Sequence, residues 1–340
     1  MLLTTACSNP SKQLSQWKQD GVIKDIVAYV DDVTNKSSEN YIPVEDRIAV
    51  FDLDGTLVCE QFPIYYEWIL FAERVLNDTS YQASDEMKTL AKEILNAGLN
   101  KNIPEDMEAR EFIAYGQVFS GMEADTYREY VAKFFEKNAD GFDNLKYKDA
   151  YFRPMAQLVQ YLIDNEFKVF ICSGTDRESC RVLVSGFTKI PNYQVIGSDY
   201  YSKGEYHGDD YYLNYQYKSN EQVLRGDTGI IKNVKSSKIA QIYQEIGQQP
   251  VLAFGNSSGD ESMCLAATSG NKYKSAAFIV VPDDDEREYA FPKKVESLKK
   301  LCKENGWHTI SMKNDFLTIY GDEVVKNPNN KTSSELLLAK

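Results

Sequence analysis

The stretch RIAVFDLDGTLV (residues 47–58) runs from apolar strand formers into two aspartates one residue apart, and then into a glycine. Ile48 to Phe51 make a short continuous apolar run. That is the pattern of a strand buried on both faces of a parallel sheet, not the alternation of a half-exposed one. Asp52 and Asp54 close the run. Two carboxylates this close are costly to desolvate unless a cation, hydrogen-bond donors or a proton compensates them, so the pair points to a site. Gly55 lets the backbone approach a ligand closely.

Working outward, an amphipathic helix is expected over residues 11–32 before the strand, with a polar NKSSEN linker between them. After the strand, YYEWILFAERVL, DEMKTLAKEIL, EFIAYGQVF and TYREYVAKFFE repeat apolar residues at spacings of three and four, which predicts a helical block over about residues 62–137. Strands at KVFIC, PVLAF and AAFIVV then alternate with helices at MAQLVQYLIDN, from about Asp176, at SSKIAQIYQEI and at DESMCLAA. Such alternation predicts an α/β fold, a three-layer Rossmann-like parallel sheet with helices on both faces. The expected division is an α/β core over residues 11–60 and 145–340, and a helical cap over 61–144 above the carboxyl ends of the strands. The tyrosine-rich segment 193–230 reads as a β-hairpin insertion of the core.

Composition narrows the function classes. With 38 basic and 51 acidic residues the net charge is −13, the wrong sign for a nucleic-acid partner. Only His207 and His308 are available, too few for chemistry built on several histidines. The opening MLLTTACSNP reads as the remnant of a signal segment over residues 1–10, with Cys7 at a lipobox-like position. The expectation is an exported, membrane-anchored lipoprotein, with a cytoplasmic protein as the alternative. Cys59, Cys172, Cys180, Cys264 and Cys302, in predicted core elements, suggest buried thiols more than a disulfide framework.

Three strand ends carry loops of chemical interest. FDLDGTL holds Asp52 and Asp54. VFICSGTDRES places Ser173 and Gly174 after a buried strand, with Thr175 and Glu178 in a capping-box pattern at a helix start suited to an anion. VLAFGNSSGDESM brings Gly255, Asn256 and Asp260, and NVKSSK offers Lys235 or Lys238 near a further helix start. A nucleophile, oxygen ligands, anion donors and a cation are what phosphoryl transfer requires.

In these loops the chain resembles the haloacid dehalogenase superfamily, in the branch similar to phosphoserine phosphatase, over roughly residues 47–320. VVPDDDEREYAF and NGWHTISMKNDF are also similar to bacterial hydrolases of that branch. The resemblance implies a magnesium-dependent phosphomonoesterase with Asp52 as the nucleophile that forms an aspartyl-phosphate, and Asp54 as acid and base. It implies phosphate binding by Gly55, Thr56, Ser173 and Gly174. The implied Mg2+ ligands are Asp52, the Asp54 main-chain carbonyl, Asn256, standing where many members have aspartate, and Asp260, which would supply charge either directly or through a metal-bound water or Asn256. Of Lys232, Lys235 and Lys238, Lys235 aligns best with the family's lysine-then-helix pattern.

Glu60 with Gln61, Tyr65, Tyr66 and Trp68 follows the first loop and suits an amino or quaternary-ammonium leaving group, as in phosphoserine or a phospho-amino alcohol. DDDERE (283–288) reads as a solvated loop whose Arg287 could reach the cap. The alternatives are a lipid-anchored binding protein with little turnover and a phosphotransferase of the same fold.

Overall fold

The computed structural model describes residues 10–60, 64–208, 214–330 and 332–340. The expectations for Cys7 and Gln61, and for Tyr211 and Tyr212 of the tyrosine-rich segment, lie outside these residues. The single helix expected over 11–32 is instead α1 (Pro10–Gln13) and α2 (Ile23–Thr34). Tertiary contacts interrupt it. Trp17 is fully buried, donates its indole N–H to Pro154 O at 2.8 Å, and meets Phe316 edge-on. The Asp315 carboxylate accepts the Val22 N–H at 3.1 Å and leaves no room for a side chain at Gly21.

The strands are β1 (Ile48–Phe51), β2 (Phe142–Asp143), β3 (Lys168–Asp176), β4 (Val195–Gly204), β5 (Val223–Ile231), β6 (Leu252–Gly255), β7 (Ala276–Val281), β8 (His308–Ser311) and β9 (Val325–Lys326). Seven form one sheet in the order β5-β4-β3-β1-β6-β7-β8, parallel except for the β4–β5 pair. β2 and β9 form a separate antiparallel pair. The fold is therefore a mostly parallel, Rossmann-like α/β sheet flanked by helices.

Both faces of the central strands are buried, as the continuous apolar runs require. Phe51, Phe254 and Phe278, side by side in register on β1, β6 and β7, stack in one core layer; the first two ring centroids are 4.1 Å apart. Val50, Ala253, Ala277 and Ile279 alternate with them into the opposite layer. Cys59, Cys172, Cys180, Cys264 and Cys302 are all buried thiols.

Between β1 and β2 lie α3 (Tyr66–Leu76), α4 (Asp85–Leu99), α5 (Met107–Val118) and α6 (Ala124–Phe135). α7 (Arg153–Asp164), α8 (Arg177–Ser185), α9 (Ser236–Gln241), α10 (Glu261–Thr268) and α11 (Pro292–Asn305) connect the sheet strands, and α12 (Met312–Asp315) and α13 (Thr332–Leu338) follow β8 and β9. β4 starts as a sheet strand beside β3 and runs on to pair with β5, so the tyrosine-rich segment leaves the sheet at its edge. The chain passes from β1 to β3 on one side and returns to β6 on the other. The loops after these three strands therefore meet at the switch point, where open α/β sheets bind ligands.

The 283–288 loop is not simply solvated. Asp284 and Glu288 are buried, and Arg287 binds Asp284 at 2.6 Å and the main-chain oxygens of Met312, Phe316 and Leu317 instead of reaching the cap. Among the described residues, no helix is long and apolar enough to cross a membrane.

Candidate active site

A cavity of about 280 Å³ opens at this switch point, walled on the core side by Asp52, Asp54, Gly174, Thr175, Lys238 and Asn256. Asp52 is the first residue past β1; its N–H donates to Phe254 O at 2.9 Å, which carries it one step up the sheet. The turn behind it is fixed by Leu53 O, which accepts from the N–H groups of Thr56, Leu57 and Val58. Gly55 closes the turn at φ +82°, and a Cβ there would lie 1.8 Å from Asn256 Nδ2, so only glycine fits.

The lysine on Asp52 is Lys238, not Lys235. Its ammonium lies 2.7 Å from Asp52 Oδ1 and 2.6 Å from Asp260 Oδ1, fully within the protein. Lys235 precedes α9, out of helical register, and lines the cavity at an exposed position. Lys238 falls on the first turn of α9 and so points back under the strand ends. Burial alone would lower the Lys238 ammonium, but the two carboxylates raise it above its ordinary value. Asp260 is held below the usual range, because Lys238 and the donors of the Asn256–Ser257 turn outweigh its burial. Burial, with Asp260 adding to it, pushes Asp52 up against the pull of Lys238.

Asp260, expected among the metal ligands, is already occupied. Oδ2 accepts from the N–H groups of Asn256 and Ser257 and from the Ser257 hydroxyl, at 2.9 to 3.1 Å, while Oδ1 holds Lys238. Three of the four donors crowd Oδ2, and Oδ1 carries Lys238. Asp260 thus anchors the lysine and the loop.

Asp54 stands apart from this network. Its Oδ2 accepts from Thr175 Oγ1 at 2.9 Å and, at a long 3.5 Å, faces Ser173 Oγ; its buried Oδ1 has no hydrogen-bond partner among the described residues. Burial, and next the charge of Asp52, pushes its pKa up to about 8.

The remaining expected residues are distributed differently. Thr56 is fully buried with its hydroxyl 3.3 Å from Asp52 Oδ2, and Ser173 is sealed behind the loop, where its Oγ accepts the Thr175 N–H. Gly174 lines the cavity, and Gly55 backs Asn256. Glu60 lines it too, paired with Lys294 at 2.6 Å. Tyr65 and Trp68 face the cavity, whereas Tyr66 packs away from it against Phe135 and Ser179.

Sequence reading passed over Thr175 as a helix cap. The cap is Asp176, which accepts the Ser179 N–H at 2.8 Å, and Thr175 serves Asp54. Strand alternation carried the signal, because Thr175 lies two residues past Ser173 on β3. It also passed over Glu67, which accepts the Asp176 N–H at 2.7 Å and pairs with Lys232, tying α3 of the cap to the end of β3.

The donor set suits a hard cation. Asp52 Oδ2 faces the Thr56 hydroxyl, the buried Asn256 lines the same cavity, and the Asp54 main-chain carbonyl belongs to the same loop; oxygen donors of this kind suit Mg2+. Among the described residues, no three histidine, cysteine, aspartate or glutamate side chains converge as a metal cluster, so any such ion would depend on the amide and the carbonyl.

No protein-family model and no curated protein matches the chain. Among solved structures, a conserved protein of unknown function from Anaerococcus prevotii shares 12% identity at a TM-score of 0.51, covering 87% of this chain and 92% of its own. A protein of unknown function from Bordetella pertussis shares 11% identity (TM-score 0.49, covering 78% and 97%). A phosphoserine phosphohydrolase-like protein from Francisella tularensis shares 16% (TM-score 0.42, covering 78% and 94%). At these identities the likeness concerns the fold alone.

Proposed function

We propose that the chain is a magnesium-dependent phosphomonoesterase of haloacid dehalogenase type. The observation that carries the reading is the division of labour between the two aspartates. Asp52 has Lys238 on one oxygen and the Thr56 hydroxyl at 3.3 Å from the other, while Asp54, two residues on, has no ion pair among the described residues and is pushed up by burial and by Asp52.

Asp52 Oδ2 attacks phosphorus, the bond from phosphorus to the leaving oxygen breaks, and the Asp54 proton passes to that oxygen. Asp54, now ionised, takes a proton from water. The water oxygen attacks the phosphorus of the aspartyl-phosphate, releasing phosphate and restoring Asp52. Lys238 and the Gly174 main chain meet the charge on the phosphoryl oxygens. The Asp52 carboxylate, the Asn256 amide and the Asp54 carbonyl would hold magnesium, which would supply further positive charge in the site.

On the cap side Tyr65, Trp68, Glu67 and Glu108 line the cavity and suit a small leaving group bearing an amine, as in phosphoserine or a phospho-amino alcohol. Phosphate release from p-nitrophenyl phosphate, with and without EDTA, tests the reading; a chain that binds phosphate but releases none from any phosphomonoester is a binding protein instead. Anchoring through a lipid on Cys7 is a further part of the proposal, tested by labelling cells with a fatty acid.

A further inference from the structure

The lysine displaced from the nucleophile has its own unexplained features. Lys235 sits at φ +51°, ψ −125°, a conformation natural to glycine and strained for lysine. The segment is clamped on both sides. Asn233 donates its N–H to Ser198 Oγ and its amide to Ser173 O, and Lys238 is held by Asp52 and Asp260. The chain has to turn between these clamps, and a glycine at 235 would turn it without strain.

The other cations of the cavity are matched internally, while Asp54 and Glu108 on its wall have no ion pair among the described residues. Lys238 serves Asp52 and Asp260, Lys232 lies 3.4 Å from Glu67 and 3.7 Å from Glu111, and Glu60 is paired with Lys294. Among the described residues lining the cavity, Lys235 alone is a cation with no carboxylate partner. It stands exposed on the wall of the cavity that Lys238 and Gly174 also line.

We infer that Lys235 reads a second anionic group, a carboxylate or a second phosphate, on the leaving portion of the substrate. The inference rests on the phosphatase reading of the same cavity. It makes Lys235 a specificity residue, and it explains why a strained lysine occupies a glycine position.

The test is calorimetric titration of the full chain, in magnesium, with methylphosphonate, phosphonoacetate and methylenediphosphonate, none of which requires turnover. The wild type is expected to prefer one of the two doubly anionic probes over methylphosphonate by about tenfold, the worth of one hydrogen bond to a charged group. The preferred probe identifies the second anion. Lys235→Gln should erase that preference, and Lys235→Gly should erase it while raising the unfolding temperature. Equal affinities in the wild type, equal weakening of all three probes in Lys235→Gln, or a lower unfolding temperature in Lys235→Gly would overturn the inference. Turnover of p-nitrophenyl phosphate by the same preparation keeps the two readings separate: if it fails while the probe preference holds, the phosphatase reading falls and the anion site stands.

Discussion

Replacing Lys238 with methionine keeps the aliphatic stem and removes the ammonium from between Asp52 and Asp260, 2.7 and 2.6 Å away. Breaking a buried ion pair by deleting one partner costs about 3–5 kcal/mol, and here one deletion strands two carboxylates. The pH dependence has a definite sign. In the wild type, Asp260 is held below its ordinary value of 3.8, so its stabilisation is present above that value and lost as pH falls through the folded one. Burial already holds Asp52 above that value in the wild type, so its ionisation costs stability as pH rises in both proteins; without Lys238, burial and mutual repulsion raise both carboxyls relative to the wild type, and that cost grows. The gap between the two proteins therefore widens with pH. Urea unfolding in EDTA at about pH 4.5 and about pH 7.5 measures it, with Lys235→Met as a control that should stay within about 0.5 kcal/mol of wild type, as exposed substitutions do. A Lys238→Met gap below about 1 kcal/mol at the higher pH, or one equal at both, would refute the buried triad.

Asp54→Asn should slow turnover of alkyl phosphates by about a hundredfold to ten-thousandfold, with a smaller loss on p-nitrophenyl phosphate, whose leaving group needs little protonation. Equal losses on both in rapid-quench phosphorylation would remove the acid role. Asn256→Asp should lower the magnesium concentration for half-maximal activity, because a charged oxygen replaces a neutral one; an unchanged midpoint places Asn256 off the metal. Gly55→Ala combines a positive φ with a Cβ 1.8 Å from Asn256 Nδ2, and should cost about 1–3 kcal/mol in denaturant unfolding together with a loss of activity. A wild-type midpoint in that variant would mean that the turn can relax.

What was legible in the chain was what short range dictates. Buried parallel strands announce themselves as apolar runs, and the loops after Phe51, Cys172 and Phe254 follow directly from them, so Asp52, Asp54, Gly174 and Asn256 could be placed near one another. Alignment favours Lys235 over Lys238, and the structure reverses the order; nothing local separates two lysines at one helix start. A tertiary constraint, the backbone turn at Lys235, decides which of them points inward. Asp260 looked like a ligand since nothing local shows that four donors occupy it. The break between α1 and α2 depends on Trp17 against Phe316 and Val22 on Asp315, pairs nearly three hundred residues apart in the chain that no periodicity records.

Asp52 as nucleophile is tested most directly by trapping the phosphoryl enzyme. The chain would be mixed with p-nitrophenyl phosphate in magnesium, quenched in acid within the first turnover, digested, and the peptide spanning residues 47–58 examined by mass spectrometry. A single phosphoryl group on Asp52 is expected, accumulating further in Asp54→Asn and absent from Asp52→Asn. Steady release of phosphate with no adduct on Asp52, or with undiminished release from Asp52→Asn, would contradict it.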